Sequence, residues 1–172
     1  MQQSQSVEHS GTSIPKSDFC NLTSDFRVPM TTKRTTFTHF KQQGEWAELL
    51  FMARAAEHGL AIARPWGDSA PYDVAIVATN PARSRPDLLR VQVKSTQCQR
   101  RHGYKCHVDS NGVPYRPDQL DFIAAYVITV AVWFIIPIQA THGQSELFLT
   151  PHHPTSKYAQ YEEAWHLLRS EV

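Results

Sequence analysis

The stretch that most limits what this chain can fold into is residues 122–138, apolar apart from Thr129 and Pro137. It lacks the ~18 uninterrupted apolar residues of a spanning helix, so no membrane partner is expected. Its two breaks and its many β-branched residues read instead as two buried strands, 121–129 and 132–138. A chain of 172 residues that is 41% apolar has material for one sizeable core around them, not two.

The rest of the chain falls into place around those strands. Over 39–58, Trp46, Leu49, Leu50, Ala53 and Ala56 recur at helical spacing, with Thr38 placed to cap the start and Gly59 to stop the end. Strand-like pieces follow at 60–64, 72–78 and 88–96, the last alternating Leu89, Val91 and Val93 against Arg90, Gln92 and Lys94. Arg101-His102-Gly103 reads as a turn, with 104–108 returning as a strand. Tyr158, Tyr161, Trp165 and Leu168 have the spacing of a closing amphipathic helix. Helix, five or six strands, helix predicts an α/β or α+β sandwich with a mixed sheet. Neither a GxGxxG nor a GxxxxGK[ST] loop is present, which excludes the common phosphate-loop nucleotide binders.

Residues 1–36 differ in kind. Ser, Thr and Gln fill 15 of those 36 positions, and the apolar residues there follow no period. A disordered arm is expected, leaving 37–172 as a single domain. No basic, apolar leader opens the chain, and the three cysteines, Cys20, Cys98 and Cys106, suit a reducing, cytoplasmic setting better than a disulfide scaffold.

Chemistry is suggested by polar residues at strand positions. Asp73 opens the apolar run Val74-Ala-Ile-Val77, and Gln92 and Lys94 share one face of the 88–96 strand. That face could simply be half exposed. Together with a helical glutamate, Glu45 or Glu48, however, these residues form an inventory for metal-assisted phosphodiester hydrolysis. Hard oxygen ligands hold Mg²⁺ through one or two carboxylates, and a lysine stabilises developing negative charge. Cys98, His102, Cys106 and His107 lack the spacing of a zinc set.

Pro71-Tyr72-Asp73, followed by Gln92-Val93-Lys94, resembles the split signature of PD-(D/E)XK nucleases. Gly44-Glu45-Trp46-Ala47-Glu48 is similar to the G-x-x-x-E opening of the first helix in archaeal Holliday-junction resolvases and their relatives. Residues 64–73 and Val91-Gln92-Val93-Lys94 resemble the branch associated with group I introns, which carries Gln-x-Lys for Glu-x-Lys. The resemblance covers about residues 41–140 and implies a restriction-endonuclease-like core, a sheet of about five strands flanked by helices. It implies Glu48 as the helical acid, although the helical wheel alone places Glu45 nearer the apolar stripe. Asp73 would be the principal metal ligand, joined by the oxygen of Gln92 and the backbone carbonyl of Val93. Lys94 would activate water or stabilise charge. The implied cofactor is Mg²⁺, with Mn²⁺ as a substitute. Gln92 is neutral, which leaves two carboxylates where three are usual.

A net charge of +1 hides an asymmetry. Residues 83–116 hold eight Lys/Arg against two acidic residues, and the remainder holds nine against fourteen. Arg100, Arg101 and Lys105 on the expected hairpin, with Arg83 and Arg85 before it, are candidate contacts to a DNA backbone. The expectation is a metal-dependent endonuclease on double-stranded DNA, assembled as a dimer or tetramer to cut both strands. A junction- or damage-selective nuclease and an inactive DNA-binding module are the alternatives.

Overall fold

The computed structural model describes Phe37 and residues 39–67, 69–78 and 87–169. The expected arm over 1–36 lies outside them, as do the expected cap Thr38 and the candidate DNA contacts Arg83 and Arg85.

Helix α1 spans Phe40–Glu57, with His39 in the cap position and no side-chain cap bond. Its end closes as the sequence suggests. Gly59, at φ +72°, donates its N–H to Ala56 O, and Leu60 donates to Ala55 O. Glycine takes that left-handed turn without a Cβ penalty. The strands follow in order: β1 Ala61–Ala63, β2 Val74–Ala78, β3 Asp87–Thr96, β4 Gln99–Arg100, β5 Gly103–His107, β6 Asp109–Ser110, β7 Val113–Pro114, β8 Phe122–Val127, β9 Val132–Pro137 and β10 Glu146–Leu149.

Five of these form one sheet in the order β1-β2-β3-β8-β9, in which only β3 and β8 run parallel. A smaller sheet, β10-β5-β4, and the β6–β7 hairpin complete the strands. The two apolar runs become the neighbours β8 and β9, buried on both faces. One face carries Val91, Val93, Ala124, Trp133 and Ile135 against Ala47, Phe51 and Ala55 of α1. The other carries Ile123, Ala125, Phe134 and Ile136 against Tyr104, Cys106 and Leu147 of the smaller sheet. The result is an α+β sandwich with a mixed five-stranded sheet.

Three expectations need correcting. The helix buries Gln43, Ala47, Phe51 and Ala55, not the stripe centred on Leu49 and Ala53; Leu49 is 60% exposed. Small alanines at 47 and 55 bring the backbone close to the sheet, and Phe51 fills the space between them. Next, no second α-helix flanks the sheet among the described residues. The segment around Tyr158 to Leu168 makes two 3₁₀ turns, Ala159–Tyr161 and Trp165–Leu168. Between them Glu163, at φ +48°, donates its N–H to Trp133 O and accepts Trp133 N–H on its carboxylate at 2.8 Å. The segment thereby satisfies the outer edge of β9, a demand that outweighs its helical periodicity. Tyr158, Trp165 and Leu168 are nonetheless buried, so their period reported burial and not a helix. Finally, β6, β7 and β10 were not expected.

Around α1 the packing is aromatic. Phe51 meets Trp133 at 5.6 Å and Trp165 at 5.5 Å between ring centroids, and Tyr126 meets Trp133 at 4.5 Å. Among the described residues no helix is long and apolar enough to cross a membrane. Phe51→Ala is expected to lose about 3–5 kcal/mol of stability, as large-to-small changes at packed aromatic positions do. Leu49→Ala should stay within about 0.5 kcal/mol of wild type, as exposed substitutions do. Urea titration of both variants measures the difference, and equal losses would show that the buried face is misassigned.

Candidate active site

The geometry of the site follows from a mismatch in strand length. β3 has ten residues, and β2 pairs only with its first half, Asp87 to Val91. The last rung of that ladder is Asp73 N–H to Val91 O at 3.0 Å. β8 takes the other edge of β3 from Val91 to Thr96. From Gln92 onward the first edge of β3 therefore has no strand partner, and side chains take over. Asp73 Oδ2 accepts Val93 N–H at 2.8 Å and Gln92 Nε2–H at 2.6 Å. One turn further, Gln43 of α1 donates from Nε2 to Ser95 Oγ at 3.0 Å, and Gln97 donates to Gln43 Oε1 at 2.9 Å. Thr96 Oγ donates to Lys105 O at 2.6 Å and docks β5 at the end of the strand.

Glu48, Asp73, Gln92, Val93, Lys94 and Lys105 thus line one cleft of about 660 Å³, with Gln43, Ser95, Gln97 and the exposed ring of Phe40 along its length. Gln92 is only 8% exposed, so its strand face is covered and not half solvated. Asp73 and Gln92 also border a second cavity of about 370 Å³, walled by Pro71, Ser110 and Tyr115. The buried face of α1 explains which glutamate reaches the cleft. At 100° per residue, Glu48 lies about 80° from the centre of that face and Glu45 about 140°. Glu45 is exposed and pairs with Lys41 at 4.0 Å.

Electrostatics mark the two carboxylates. Burial pushes the Asp73 carboxyl above its ordinary range, against the opposing pull of the Val93 N–H, the Lys94 charge and the Gln92 amide. Glu48 is raised as well, first by burial and then by the negative charge of Asp73. Arg64 opposes this with a 2.9 Å ion pair to Glu48 Oε2. Two partly buried carboxylates, Glu48 raised in part by the charge of Asp73, backed by amide and carbonyl oxygens make a hard-oxygen donor set that suits a divalent cation such as Mg²⁺. Among the described residues no three His, Cys, Asp or Glu side chains converge, so any ion here relies on neutral oxygens as well.

Lys94 Nζ donates to Asp109 O at 3.0 Å and stands 5.3 Å from the centre of the Tyr115 ring. Lys105 pairs with Glu146 at 2.6 Å and reaches the cleft wall, whereas Arg100 and Arg101 sit exposed at the β4–β5 turn and do not line it. Asp121 serves the scaffold, taking three hydrogen bonds from the Arg90 backbone and guanidinium. Sequence reasoning missed Gln43, Arg64 as a partner of Glu48, and the β6–β7 hairpin. The hairpin had a signal, since Asn111-Gly112 is a strong two-residue turn sequence and both residues take positive φ here.

No curated protein sequence matches this chain significantly. A solved structure described as that of a bacterial homing endonuclease, I-Ssp6803I, is similar with a TM-score of 0.61 at 26% identity, covering 74% of this chain and 91% of that one. The family model for the PD-(D/E)XK endonucleases matches residues 38–168, which span the sheet, α1 and every residue of the cleft described above except Phe37. The chain belongs to the PD-(D/E)XK endonuclease family.

Proposed function

We propose that this protein is a Mg²⁺-dependent endodeoxyribonuclease that hydrolyses phosphodiester bonds of double-stranded DNA, with Mn²⁺ as a substitute ion. The observation that carries the reading is the convergence of Glu48, Asp73, Gln92, Val93 and Lys94 on one cleft at the unpaired edge of β3. The homing-endonuclease description of the similar structure supports duplex DNA as the substrate.

Asp73, Glu48, the Gln92 side-chain oxygen and the Val93 carbonyl would hold the ion. When bound, it supplies polarisation of a phosphoryl oxygen and a lowered pKa for a nearby water. The protein's own groups do the rest. Asp73 Oδ2 is already held by the Val93 and Gln92 donors, which leaves Oδ1 without a hydrogen bond among the described residues and directs it as a ligand. In the reaction a water oxygen bonds to phosphorus as one ester P–O bond breaks, and the leaving oxygen takes up a proton. The Lys94 ammonium stands where it can stabilise the charge that builds on phosphate. Lys105 and, at the hairpin tip, Arg100 and Arg101 would contact the backbone of the duplex, with Arg83 and Arg85 as further contacts. A dimer or tetramer would present two sites to the two strands.

Cleavage of supercoiled plasmid with and without Mg²⁺ or Mn²⁺ is the direct test. Wild type should nick or linearise DNA only with metal, and Asp73→Ala and Lys94→Ala should each lose at least about 10²-fold in rate while keeping their circular dichroism. A four-way junction run beside the linear duplex separates a structure-selective enzyme from the proposed one. Metal-independent activity, or activity retained in both variants, would sink the assignment.

The raised carboxyls predict a pH dependence with a defined sign. A carboxyl raised in the fold binds its proton more tightly folded than unfolded, so stability falls as pH rises from about 4 through the raised value. In metal-free buffer Asp73→Asn should therefore melt above wild type at neutral pH, and the gap should close on acidification. Metal at about 100 times its dissociation constant should raise the wild-type melting temperature by roughly 5–10 °C and leave Asp73→Asn almost unmoved. Scanning calorimetry across pH checks both, and a gap of opposite sign would contradict the electrostatic account.

A further inference from the structure

The surroundings of Lys94 come from a part of the chain outside the motif. Its strand, β3, carries the ammonium out from between Gln92 and Thr96 toward β6–β7. There the Asp109 carbonyl accepts its proton at 3.0 Å, and the ring of Tyr115 lies 5.3 Å away. Cys106 of β5 approaches from the core side, fully buried, its thiol pushed up to about 12 by burial and so a neutral wall. Tyr115 itself packs on the second core cluster, and among the described residues its hydroxyl takes no hydrogen bond. The aromatic face is what it offers. A lysine side chain has four rotatable bonds and about 2 kcal/mol of rotamer entropy, so on a strand beside a cleft it would sample many positions. A carbonyl on one side and a ring face on the other restrict it to one.

We propose that Tyr115, with the Asp109 carbonyl, is a positioning residue that holds the Lys94 ammonium at the mouth of the cleft by a cation–π contact, so that its charge is in place when phosphate charge develops. The β6–β7 hairpin then acts as the rigid mount for this pair. Its Asn111-Gly112 turn fixes the two strands, and Gly112 N–H closes onto Asp109 Oδ1 at 3.0 Å. Tyr115 also lines the second cavity beside Asp73 and Gln92, a cavity that Lys94 does not border. This inference rests on the nuclease reading of the cleft.

The test has two arms. In the kinetic arm, Tyr115→Leu is expected to lower kcat by about 2- to 30-fold, the equivalent of the roughly 0.5–2 kcal/mol of a cation–π contact. KM and DNA affinity should stay within about twofold, because the proposed role of Tyr115 is exerted through Lys94 and not on the substrate itself. Tyr115→Phe, which keeps the ring, should retain most of kcat. In the spectroscopic arm, the Lys94 ε-methylene protons, assigned by their loss in Lys94→Arg, should show an upfield ring-current shift in wild type and in Tyr115→Phe. That shift should vanish in Tyr115→Leu. A normal ε-methylene shift in wild type overturns the contact without any need for the Tyr115 variants to fold. Equal kcat losses in the Phe and Leu variants, or none in Leu, overturn the positioning role while leaving the nuclease reading intact. A wild type with no metal-dependent cleavage overturns the nuclease reading and, with it, the catalytic purpose of the pair.

Discussion

Half of one strand has no strand partner along one of its two edges, and the rest of the site depends on that fact. A buried backbone N–H without an acceptor carries a penalty of roughly 1–3 kcal/mol. β3 cannot therefore continue past Val91 on its β2 side unless something replaces the ladder. Asp73 does so by position: it is the first residue beyond β2, so its carboxylate lies where the next rung would be and accepts Val93 N–H. Further along, Gln43 of the helix donates to the Ser95 carbonyl at 3.4 Å and to its hydroxyl at 3.0 Å, and the Thr96 hydroxyl ties the strand end to β5 through Lys105 O. Each replacement leaves oxygen atoms and side chains along an opening where a regular sheet would have left none. The cleft is the gap between a long strand and its short neighbour.

A carboxylate used to cap a strand edge brings its charge with it. Asp73 is raised by burial, and Glu48 by burial and by Asp73, so the metal-free site works against its own ionisation. Arg64 relieves Glu48 from the surface side, and the Val93 N–H relieves Asp73 from within. The remaining strain is affordable because the two core layers lie elsewhere. Phe51, Trp133 and Trp165 hold α1 to the far face of the sheet, while Ile123, Phe134 and Leu147 hold the smaller sheet to the near one. Positions in the site can thus be tuned for charge while the packing that fixes their geometry is left alone.

The sequence revealed elements more readily than faces. The β-branched runs at β8 and β9, the alternation in β3 and the glycine stop at Gly59 are local signals, and each corresponds to an observed element. The buried side of α1 was misread because Leu49 looks more apolar than Gln43, yet Gln43 is the buried one. Its burial is decided by acceptors on Ser95 and a donor on Gln97, more than fifty residues away, which no periodicity carries. The C-terminal period misled for a related reason: an open edge at β9 needed a partner more than the segment needed to be a helix. For the site, the motif spacing singled out Glu48, and the true helix face supplies a geometric reason why that glutamate faces the cleft. The Tyr115 contact was not legible, since Asn111-Gly112 announces a hairpin but not where its next residue points.

The neutral Gln92 is best understood from the same balance of charge. A third carboxylate at this position would stand 8% exposed, within hydrogen-bond distance of Asp73 Oδ2 and near Glu48. Like charges so close cannot all ionise, and one proton would stay on the set. An amide removes that conflict in two ways. Its Nε2–H donates to Asp73 and stabilises the ionised form of that residue. Its oxygen remains available as a ligand, with no charge to be neutralised first. The expected consequence is a site that gives up some electrostatic hold on a cation in return for an Asp73 that is oriented before the cation arrives, with the Gln92 amide offsetting part of what burial costs its ionised form. With Asp73 and Glu48 already opposing each other, orientation is the quantity this arrangement has to protect. The donor atoms around Asp73 Oδ2 are placed to protect it.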